Sequence, residues 1–453
     1  MNAQELKQYR TKLFTDVYSG IIPERFPVID GISIDYIIQY GNTDIMKAQY
    51  SFTKESVLNM YEKIMDILRG DMFPSAHARN PVALMFQQSR TMTMGSNGFI
   101  QHPETSNMEA DEYDEFIENP FDFLCEKVLP RQNPGFDTDP ITRSLAFAKY
   151  VLASMDFGRI VAEVGRELSE KYGFFASPAG SAIGQSVPFD FLADMNRGFT
   201  KIPMDIKRQP QKVVDACEAL VPYLVWKGMN PVTSLLGNNM IMTHMAPFLS
   251  TKDFEKFYWP TFLKICHICA ERGQAMQIFC ESDWTRFVDH MQDLPQGTRL
   301  WMEYGDPQKF KDKLGKKMVL EGFYPLTLLK NGTKQQCIDK AKELIDILAP
   351  GGNFIFRFDK SALSLNDLNT ENYIATLEYV LENSKYDNAG ELVTTAKTED
   401  SIVKYSHLYP EFKSKYIVSF DEFKKVYPPV DDRIEPLMRS AYNKYTNMVL
   451  PFM

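Results

Sequence analysis

The sequence predicts an α/β fold built as a (β/α)8 barrel, and three observations lead to it. Short β-rich runs alternate along the chain with longer amphipathic segments, which is the pattern of βα units around a parallel sheet. The later units share one order, in which glycines such as Gly273, Gly297 and Gly351 precede a strand that ends in a polar loop. No G-x-G-x-x-G motif follows the first strand, so a dinucleotide-binding fold has no support. A barrel would carry its functional side chains where strands end.

Seven runs carry the strand pattern, and five longer segments carry the helical one. The predicted strands are Phe26–Ile29, Val82–Phe86, Phe174–Ser177, Ala275–Phe279, Leu300–Glu303, Met318–Leu320 and Phe354–Phe358. The predicted helices are Lys54–Arg69, Thr142–Tyr172, Gln211–Lys227, Thr251–Arg272 and Thr333–Leu348.

Two stretches break the alternation. Residues 88–131 are rich in Met, Gly and acidic residues and are predicted to form a long loop over the barrel mouth. Its apolar part, Met92–Ile100, would serve as a substrate lid, as a partner contact or as a plain cover. After about Asn388 the chain becomes polar and then helical over Asp432–Met448. We therefore predict a barrel over residues 1–387 with an N-terminal helix, and a C-terminal extension over 388–453 that packs outside.

The composition of the chain argues against several classes of binding partner. The formal net charge is −9 and no run of Lys and Arg occurs, which argues against nucleic acid and anionic membranes. The apolar stretches are strand-sized, well short of the roughly 20 residues that a membrane span needs, and the first residues lack the apolar core of a signal peptide. Six dispersed cysteines indicate reduced thiols, so we expect a cytoplasmic protein.

The polar residues that follow predicted strands are the candidates for chemistry. They are Asp71, Asp194, His244, Cys280, Glu281, Glu303, Asp306, Glu321, Asp359 and Lys360. A hydrophobic strand runs directly into Cys280 and Glu281, which would place a thiol and a carboxylate at the mouth. A Cys, a Glu and a His from different strands are a possible catalytic zinc site. The alternatives are a buried thiol without a ligand role and a His244 that is only structural.

Five segments, taken in order, resemble the uroporphyrinogen decarboxylase superfamily over about three quarters of the chain. They are SVPFDFLADMNRG (Ser186–Gly198), STKDFEKFYWPTF (Ser250–Phe262), FCESDW (Phe279–Trp284), LEGFYPLTLLKNGT (Leu320–Thr333) and GGNFIF (Gly351–Phe356). The resemblance implies a TIM barrel of the uroporphyrinogen decarboxylase type.

The positions at which this chain departs from the family pattern indicate which branches it does not resemble. The porphyrinogen decarboxylase has carboxylate-binding arginines after its first strand, whereas Pro27–Ile37 here contains none. Asp194 stands where that enzyme has a tyrosine, and Asp71 falls on the family's aspartate in the second unit. The branch that acts on coenzyme M has His-x-Cys-Gly after the fifth strand, where this chain has Phe279–Ser282. Its second zinc cysteine would fall near Asp359. The thiol-activating zinc site is therefore not intact.

The FCESDW run resembles a subgroup with Phe-x-Glu-Gly-x-Trp, which is associated with anaerobic demethylation. The resemblance thus implies a methyltransferase that moves a methyl group from a small donor, with a methoxylated aromatic as the best guess, to the Co(I) centre of a corrinoid on a partner protein. Glu281 is the first candidate for the acid that protonates the leaving oxygen, and Asp71 and Asp194 are further catalytic candidates. If zinc is bound, we expect His244, Glu281 and Asp359 as ligands, with Cys280 as an alternative.

Two rival functions stay open at this point. One is a decarboxylase of a small organic acid or porphyrinogen-like substrate, and the other is a barrel that only binds a ligand. A cation in the pocket would favour the decarboxylase, and Arg357 and Lys360 are the candidates at strand ends. Alternation along the strand leaves open whether Arg357 or its neighbours Phe356 and Phe358 face the interior.

Overall fold

The computed structural model describes residues 1–74, 80–393, 402–410 and 412–452. Parts of the predicted C-terminal extension, residues 394–401, 411 and 453, lie outside the described residues. The fold is mixed α/β, as predicted, and a parallel sheet lies at its centre.

The central sheet has six parallel strands in consecutive order. The strands are β3 (Ala182–Gln185), β4 (Asn238–Thr243), β5 (Met276–Asp283), β6 (Arg299–Tyr304), β7 (Val319–Gly322) and β8 (Phe354–Ile355). A separate antiparallel pair, β1 (Thr93–Met94) and β2 (Ile100–Gln101), lies in the segment that precedes them. Neighbours in sequence are neighbours in the sheet, which is the order that successive βα units produce.

Isolated backbone contacts continue the sheet beyond β8. Val28 forms a parallel bridge with Phe356, and the backbone N–H of Asp71 donates to the carbonyl of Val28 at 2.7 Å. Met72 in turn forms a parallel bridge with Phe175. These contacts involve two of the predicted strands, Phe26–Ile29 and Phe174–Ser177. The arrangement is compatible with the predicted barrel, while closure into eight strands stays a prediction.

The helices alternate with the strands in the second half of the chain and form a long insertion in the first. The α-helices are α1 (Ala3–Tyr18), α2 (Ile34–Tyr40), α3 (Ile45–Tyr50), α4 (Lys54–Ile64), α5 (Pro81–Gln87), α6 (Tyr113–Glu118), α7 (Pro120–Phe123), α8 (Leu129–Gln132), α9 (Pro140–Tyr172), α10 (Pro188–Phe191), α11 (Ile202–Arg208), α12 (Pro210–Lys227), α13 (Thr251–Asp253), α14 (Trp259–Glu271), α15 (Val288–Met291), α16 (Pro307–Leu314), α17 (Leu326–Asn331), α18 (Lys334–Leu348), α19 (Thr370–Glu382), α20 (Phe420–Val426) and α21 (Glu435–Val449). Turns of π-helix span Leu124–Val128, Leu192–Arg197 and Phe254–Tyr258, and short 3-10 turns span Pro134–Phe136, Ala246–Phe248, Thr285–Phe287, Leu365–Asp367, Ser406–Leu408, Asp432–Ile434 and Leu450–Phe452.

One predicted strand is wrong. Val82–Phe86 lies inside helix α5 rather than in the sheet. The side chain of Asn80 accepts hydrogen bonds from the backbone N–H groups of Val82 and Ala83, and Pro81 occupies the first turn. An Asn cap followed by Pro is a strong helix start, and it overrides the β-rich composition of this short run.

The insertion at 88–131 is not the long loop that we predicted. It contains the β1–β2 hairpin, helices α6 to α8 and a π-helical turn. Asn119 caps α7 with Pro120 in its first turn, and the acidic run that includes Asp114 and Glu115 lies in the first turn of α6, where negative charge is favourable. The apolar residues of this segment are therefore largely used in packing: Tyr113, Phe116 and Phe121 are fully buried.

The two faces of the sheet differ in composition. Ile278, Leu300 and Leu320 point outward and are fully buried in the main hydrophobic core, which also contains residues of α14, α16 and α18. The opposite face, here called the inner face, carries the registered row Phe279, Trp301 and Glu321. Arg357 belongs to the inner face, because its side chain pairs with Glu321. The sequence left open whether Arg357 or its neighbours Phe356 and Phe358 face the interior, and the structure places Arg357 there.

The described part of the C-terminal extension packs against the outer helices. The N–H of Val403 donates to Nδ1 of His267 at 3.1 Å, and the hydroxyl of Ser406 donates to Glu271 at 2.8 Å. The Tyr409 hydroxyl donates to Glu218 at 2.6 Å. Across the described ranges, none of the helices combines the length and the apolar character that crossing a bilayer requires.

Candidate active site

Two of the predicted residues meet at the carboxyl ends of neighbouring strands. Thr243 of β4 is in register with Cys280 of β5, so the next residues along, His244 and Glu281, lie side by side. Nδ1 of His244 is 2.8 Å from Oε2 of Glu281. Side chains at the carboxyl ends of parallel strands are where α/β folds carry their chemistry.

A third predicted residue approaches the other side of the imidazole. Asp194 lies on the π-helical turn Leu192–Arg197 that continues α10, and its Oδ2 is 3.9 Å from Nε2 of His244. The second carboxyl oxygen of Asp194, Oδ1, is buried and has no hydrogen-bond partner among the described residues. The imidazole therefore lies between two carboxyl groups, one hydrogen-bonded and one with an unused oxygen.

Asp190 supports this arrangement and was not among the predicted residues. Its carboxylate accepts hydrogen bonds from the backbone N–H groups of His244 at 3.0 Å and Met245 at 2.9 Å, and from the hydroxyl of Tyr258 at 2.8 Å. Asp190 precedes Asp194 by four residues, so both carboxyls project from one side of a helix. That Asp-x-x-x-Asp spacing in PFDFLAD is the signal that could have identified it.

The electrostatics set the protonation of the group. Burial raises the pKa of Asp194 to about 7, and the negative charges of Asp190 and Glu281 act in the same direction. Burial alone would lower the pKa of His244, but the hydrogen bond to Glu281 and the neighbouring carboxylates outweigh it and raise that pKa to about 9. At neutral pH the site therefore holds a protonated imidazole and a carboxyl group that is close to half protonated.

The group borders a cleft of about 610 Å³ between β3, β4 and the α10 helix. Asp194 and His244 contribute its polar edge, and Met240, Met242 and Phe191 contribute apolar walls. Gly184 in β3 also lines the cleft, and because it has no side chain its backbone borders the cleft directly. Apolar walls with few converging polar groups are typical of small-molecule sites.

A second polar cluster holds the strand end that carries Glu281. Ser282 has a φ of +61°, which is unusual for a residue other than Gly, and the β5–β6 register shifts at this point. The N–H of Ser282 donates to Oε2 of Glu303 at 2.7 Å, and Nζ of Lys360 donates to Oε1 at 2.8 Å. Glu303 thus fixes the turn that aims Glu281, which is the kind of over-determined strain found at functional sites.

We expect Ser282→Gly to retain stability and activity, and Ser282→Val to lose both. A β-branched side chain at positive φ adds a backbone cost of about 1–2 kcal/mol, whereas Gly adopts this region freely. Urea unfolding measures the first effect and the reaction rate the second. A Val variant as stable and as active as Ser282→Gly would contradict the role that we assign to this turn.

The other predicted zinc ligands do not join His244 and Glu281. Cys280 points to the outer face of β5, where it is fully buried and burial raises the pKa of its thiol, so it does not reach the cleft. Asp359 is buried, its Oδ1 accepts from the backbone N–H groups of Leu326 and Lys360, and burial raises its pKa to about 6. Within the ranges that the structure describes, no three His, Cys, Asp or Glu side chains are arranged to hold a metal ion. Both imidazole nitrogens face carboxyl groups, so these residues as arranged do not fit zinc.

Asp71, predicted as catalytic, lies in a different environment. It is fully buried beside the first bridge of the sheet, where Arg25 donates to both of its oxygens at 2.7 and 2.5 Å. Arg10 lies 3.3 Å away and the N–H of Val28 donates at 2.9 Å. Every oxygen of Asp71 is thus engaged in the fold, and we leave it out of the candidate site.

Comparison with solved structures supports the fold. A methyltransferase from Methanosarcina mazei superposes with a TM-score of 0.54 at 11% sequence identity, over 83% of this chain and 98% of that one. No protein-family model matches the chain, and a search of curated proteins gives no significant match. At this identity the likeness establishes a shared mixed α/β fold around a parallel sheet.

Proposed function

We propose that this protein is a methyltransferase that takes a methyl group from a small donor, an aryl methyl ether, and passes it to the Co(I) centre of a corrinoid carried by a partner protein. The observation that carries the proposal is the buried Oδ1 of Asp194, which has no hydrogen-bond partner among the described residues and belongs to a carboxyl group with a pKa raised to about 7. The structural similarity to a methyltransferase and the family resemblance of FCESDW point in the same direction.

The reaction needs an acid. Removing the methyl group from an aryl ether leaves a phenolate, which is a poor leaving group unless a proton reaches its oxygen. Co(I) supplies the nucleophile, and the residues of this chain bind the donor and supply the proton. A carboxyl group that is about half protonated near pH 7, and whose buried oxygen has no partner among the described residues, is suited to that step.

We assign that proton to Asp194 rather than to Glu281, the first candidate from sequence. Oε2 of Glu281 is already hydrogen-bonded to Nδ1 of His244, so Glu281 orients the imidazole and favours its charged form. In the step that we propose, the proton leaves Asp194 Oδ1 and ends on the ether oxygen as the carbon–oxygen bond breaks. The carboxylate that remains faces Nε2 of the protonated His244, which stabilises its charge.

The direct test mixes the purified protein with Co(I) cobalamin and a panel of donors, and follows methylation of cobalt by absorbance. The panel holds methoxylated aromatics, methylamines, methanol and methylthiols, and the native corrinoid protein is added where it can be obtained. We expect conversion with methoxylated aromatics. Silence with all donors in the presence of that partner would overturn the proposal.

The rate should depend on pH in a direction that the site fixes. Because the acid form of Asp194 is the reactive one, methyl transfer should be constant below about pH 7 and fall about tenfold per unit above it. His244, with a pKa near 9, keeps its charge through this range. A rate profile that rises between pH 6 and 8 would contradict the assignment of an acid and favour a base.

The decarboxylase alternative keeps one supporting observation, which is that the guanidinium of Arg357 lies on the inner face. A bound carboxylic acid that loses CO2 would use Asp194 to protonate the resulting carbanion. Release of CO2 from a benzoate substrate without methylation of Co(I) would favour this function over methyl transfer.

A further inference from the structure

We propose that the donor carries a carboxylate, and that Arg357 on the inner face binds it while the methoxy group lies at Asp194. This inference rests on the proposed function and names the substrate class within it: aryl methyl ethers that bear a ring carboxylate. Nothing in the resemblance assigns a role to Arg357.

Arg357 is held in place, and most of its N–H groups donate no hydrogen bond within the described residues. Its Nη1 donates to Oε2 of Glu321 at 3.0 Å, and its guanidinium carbon lies 3.4 Å from the centre of the Trp301 ring. In the part of the chain that the structure describes, that is the one hydrogen bond Arg357 donates. A guanidinium has five N–H groups in a planar fork that matches a carboxylate. A stacked, partly buried fork with free donors is a preformed anion site.

The surrounding charges leave the anion site positive. Glu321 is fully buried, and its oxygens are both used, one by Arg357 and one by the amide of Gln277 at 2.5 Å. Arg299, also on the inner face, donates only to the carbonyls of Gly237 and Leu235 in the described structure. Two guanidinium groups thus face one carboxylate among these residues, so a ligand anion would restore neutrality.

A continuous polar network joins this position to the cleft. Asn238, which lines the cleft, donates to Gln277 at 2.9 Å, and Gln277 donates to Glu321, the partner of Arg357. Oδ1 of Asn238 is buried without a partner in the described ranges. The anion site and the cleft are therefore parts of one inner surface.

An aromatic pair on the inner face connects the strand that carries Glu281 to Arg357. Phe279 precedes Glu281 by two residues on the same face of β5, which corresponds to roughly 7 Å along a strand. The Phe279 ring packs on Trp301 with ring centres 4.2 Å apart, and the guanidinium of Arg357 stacks on the Trp301 ring. A benzene ring lying along this aromatic pair would direct a carboxylate toward Arg357 and an ether at the opposite ring position toward the end of β5, beside which His244 and Asp194 lie.

The test compares two ligands of nearly equal shape, 4-methoxybenzoate and neutral 4-methoxybenzamide, by calorimetric binding to the full chain. We expect the benzoate to bind about tenfold to hundredfold more tightly, the range for hydrogen bonds to a charged group. In the double variant Arg357→Gln with Glu321→Gln, which removes both charges so that neither is left buried alone, this preference should vanish. Arg357→Lys, which keeps charge but loses the fork, should retain only part of it.

The double variant Arg159→Gln with Glu163→Gln is the matched control, because it removes an Arg–Glu pair of the same composition from the exposed surface of α9. Its benzoate preference should be unchanged. Equal affinity of the wild-type protein for both ligands, persistence of the preference in the Arg357 and Glu321 double variant, or its loss in the control double variant would each overturn the assignment.

Failure of the anion site at Arg357 can be distinguished from failure of the proposed function. Benzoate preference that depends on Arg357, without methylation of Co(I) from any donor, supports the anion site and overturns the methyltransferase. If kcat/KM for methyl transfer is the same with the amide as with the benzoate, the methyltransferase function is supported and the anion site at Arg357 is overturned.

Discussion

Asp194→Asn is expected to lower the rate of methyl transfer from an unactivated aryl methyl ether by about 10²–10⁴-fold, the usual contribution of a general acid. The amide keeps the shape of the side chain but has no acidic proton to give to the ether oxygen. Binding should survive, because no hydrogen bond of the described structure depends on Oδ1 of Asp194. The comparison therefore measures the rate together with the affinity for 4-methoxybenzoate.

The leaving group provides the sharper readout. A nitro-substituted anisole yields an acidic phenol that departs without much help from a proton, so Asp194→Asn should slow this donor far less than the unactivated one. Asp306→Asn is the matched control: Asp306 is exposed after β6 and caps α16, a role that Asn fills equally well. Equal losses for both donors would show that Asp194 orients the site instead of protonating the ether.

The strands that the sequence predicted best are those whose outer residues are uniformly apolar. The predicted Leu300–Glu303 and Met318–Leu320 match β6 and β7 closely, since outward residues such as Leu300 and Leu320 are buried under helices. β3 and β4 were missed for a physical reason. β4 begins with Asn238 and Asn239, and most of β3 is exposed, so neither shows the apolar run that indicates a strand.

From the sequence, His244 and Glu281 were grouped as ligands of a zinc site, but Asp194 was not grouped with them. Asp194, His244 and Glu281 were all candidates, yet their order in space depends on the register of β4 with β5 and on a helix some 50 residues earlier. That register places Glu281 within hydrogen-bond distance of His244, whereas Oδ1 of Asp194 has no partner among the described residues. Cys280 was predicted as an alternative zinc ligand because it precedes Glu281 in sequence. Neighbouring residues along a strand, however, point to opposite faces of the sheet.

Asp71→Asn is expected to destabilise the fold by about 3–5 kcal/mol, the cost of breaking a buried ion pair while its partners stay charged. Arg25 and Arg10 both face the Asp71 carboxylate, and their own side chains are largely shielded from solvent. The amide presents N–H groups to one of these guanidiniums and leaves a positive charge without compensation. Because Asp71 also accepts from the N–H of Val28, the change would loosen the contact that joins this segment to the sheet.

Urea unfolding measures this loss, and Glu378→Gln is its control. Glu378 pairs with Arg69 at the surface, where such pairs contribute about 0–1 kcal/mol, so its removal should change the free energy of unfolding little. The same experiment decides what Asp71 does. An Asp71→Asn protein that unfolds at the wild-type urea concentration but transfers no methyl group would return Asp71 to the reaction, where the sequence first placed it. A destabilised protein whose folded fraction keeps its rate would assign Asp71 to holding the N-terminal segments on the sheet, at a distance from the chemistry of Asp194.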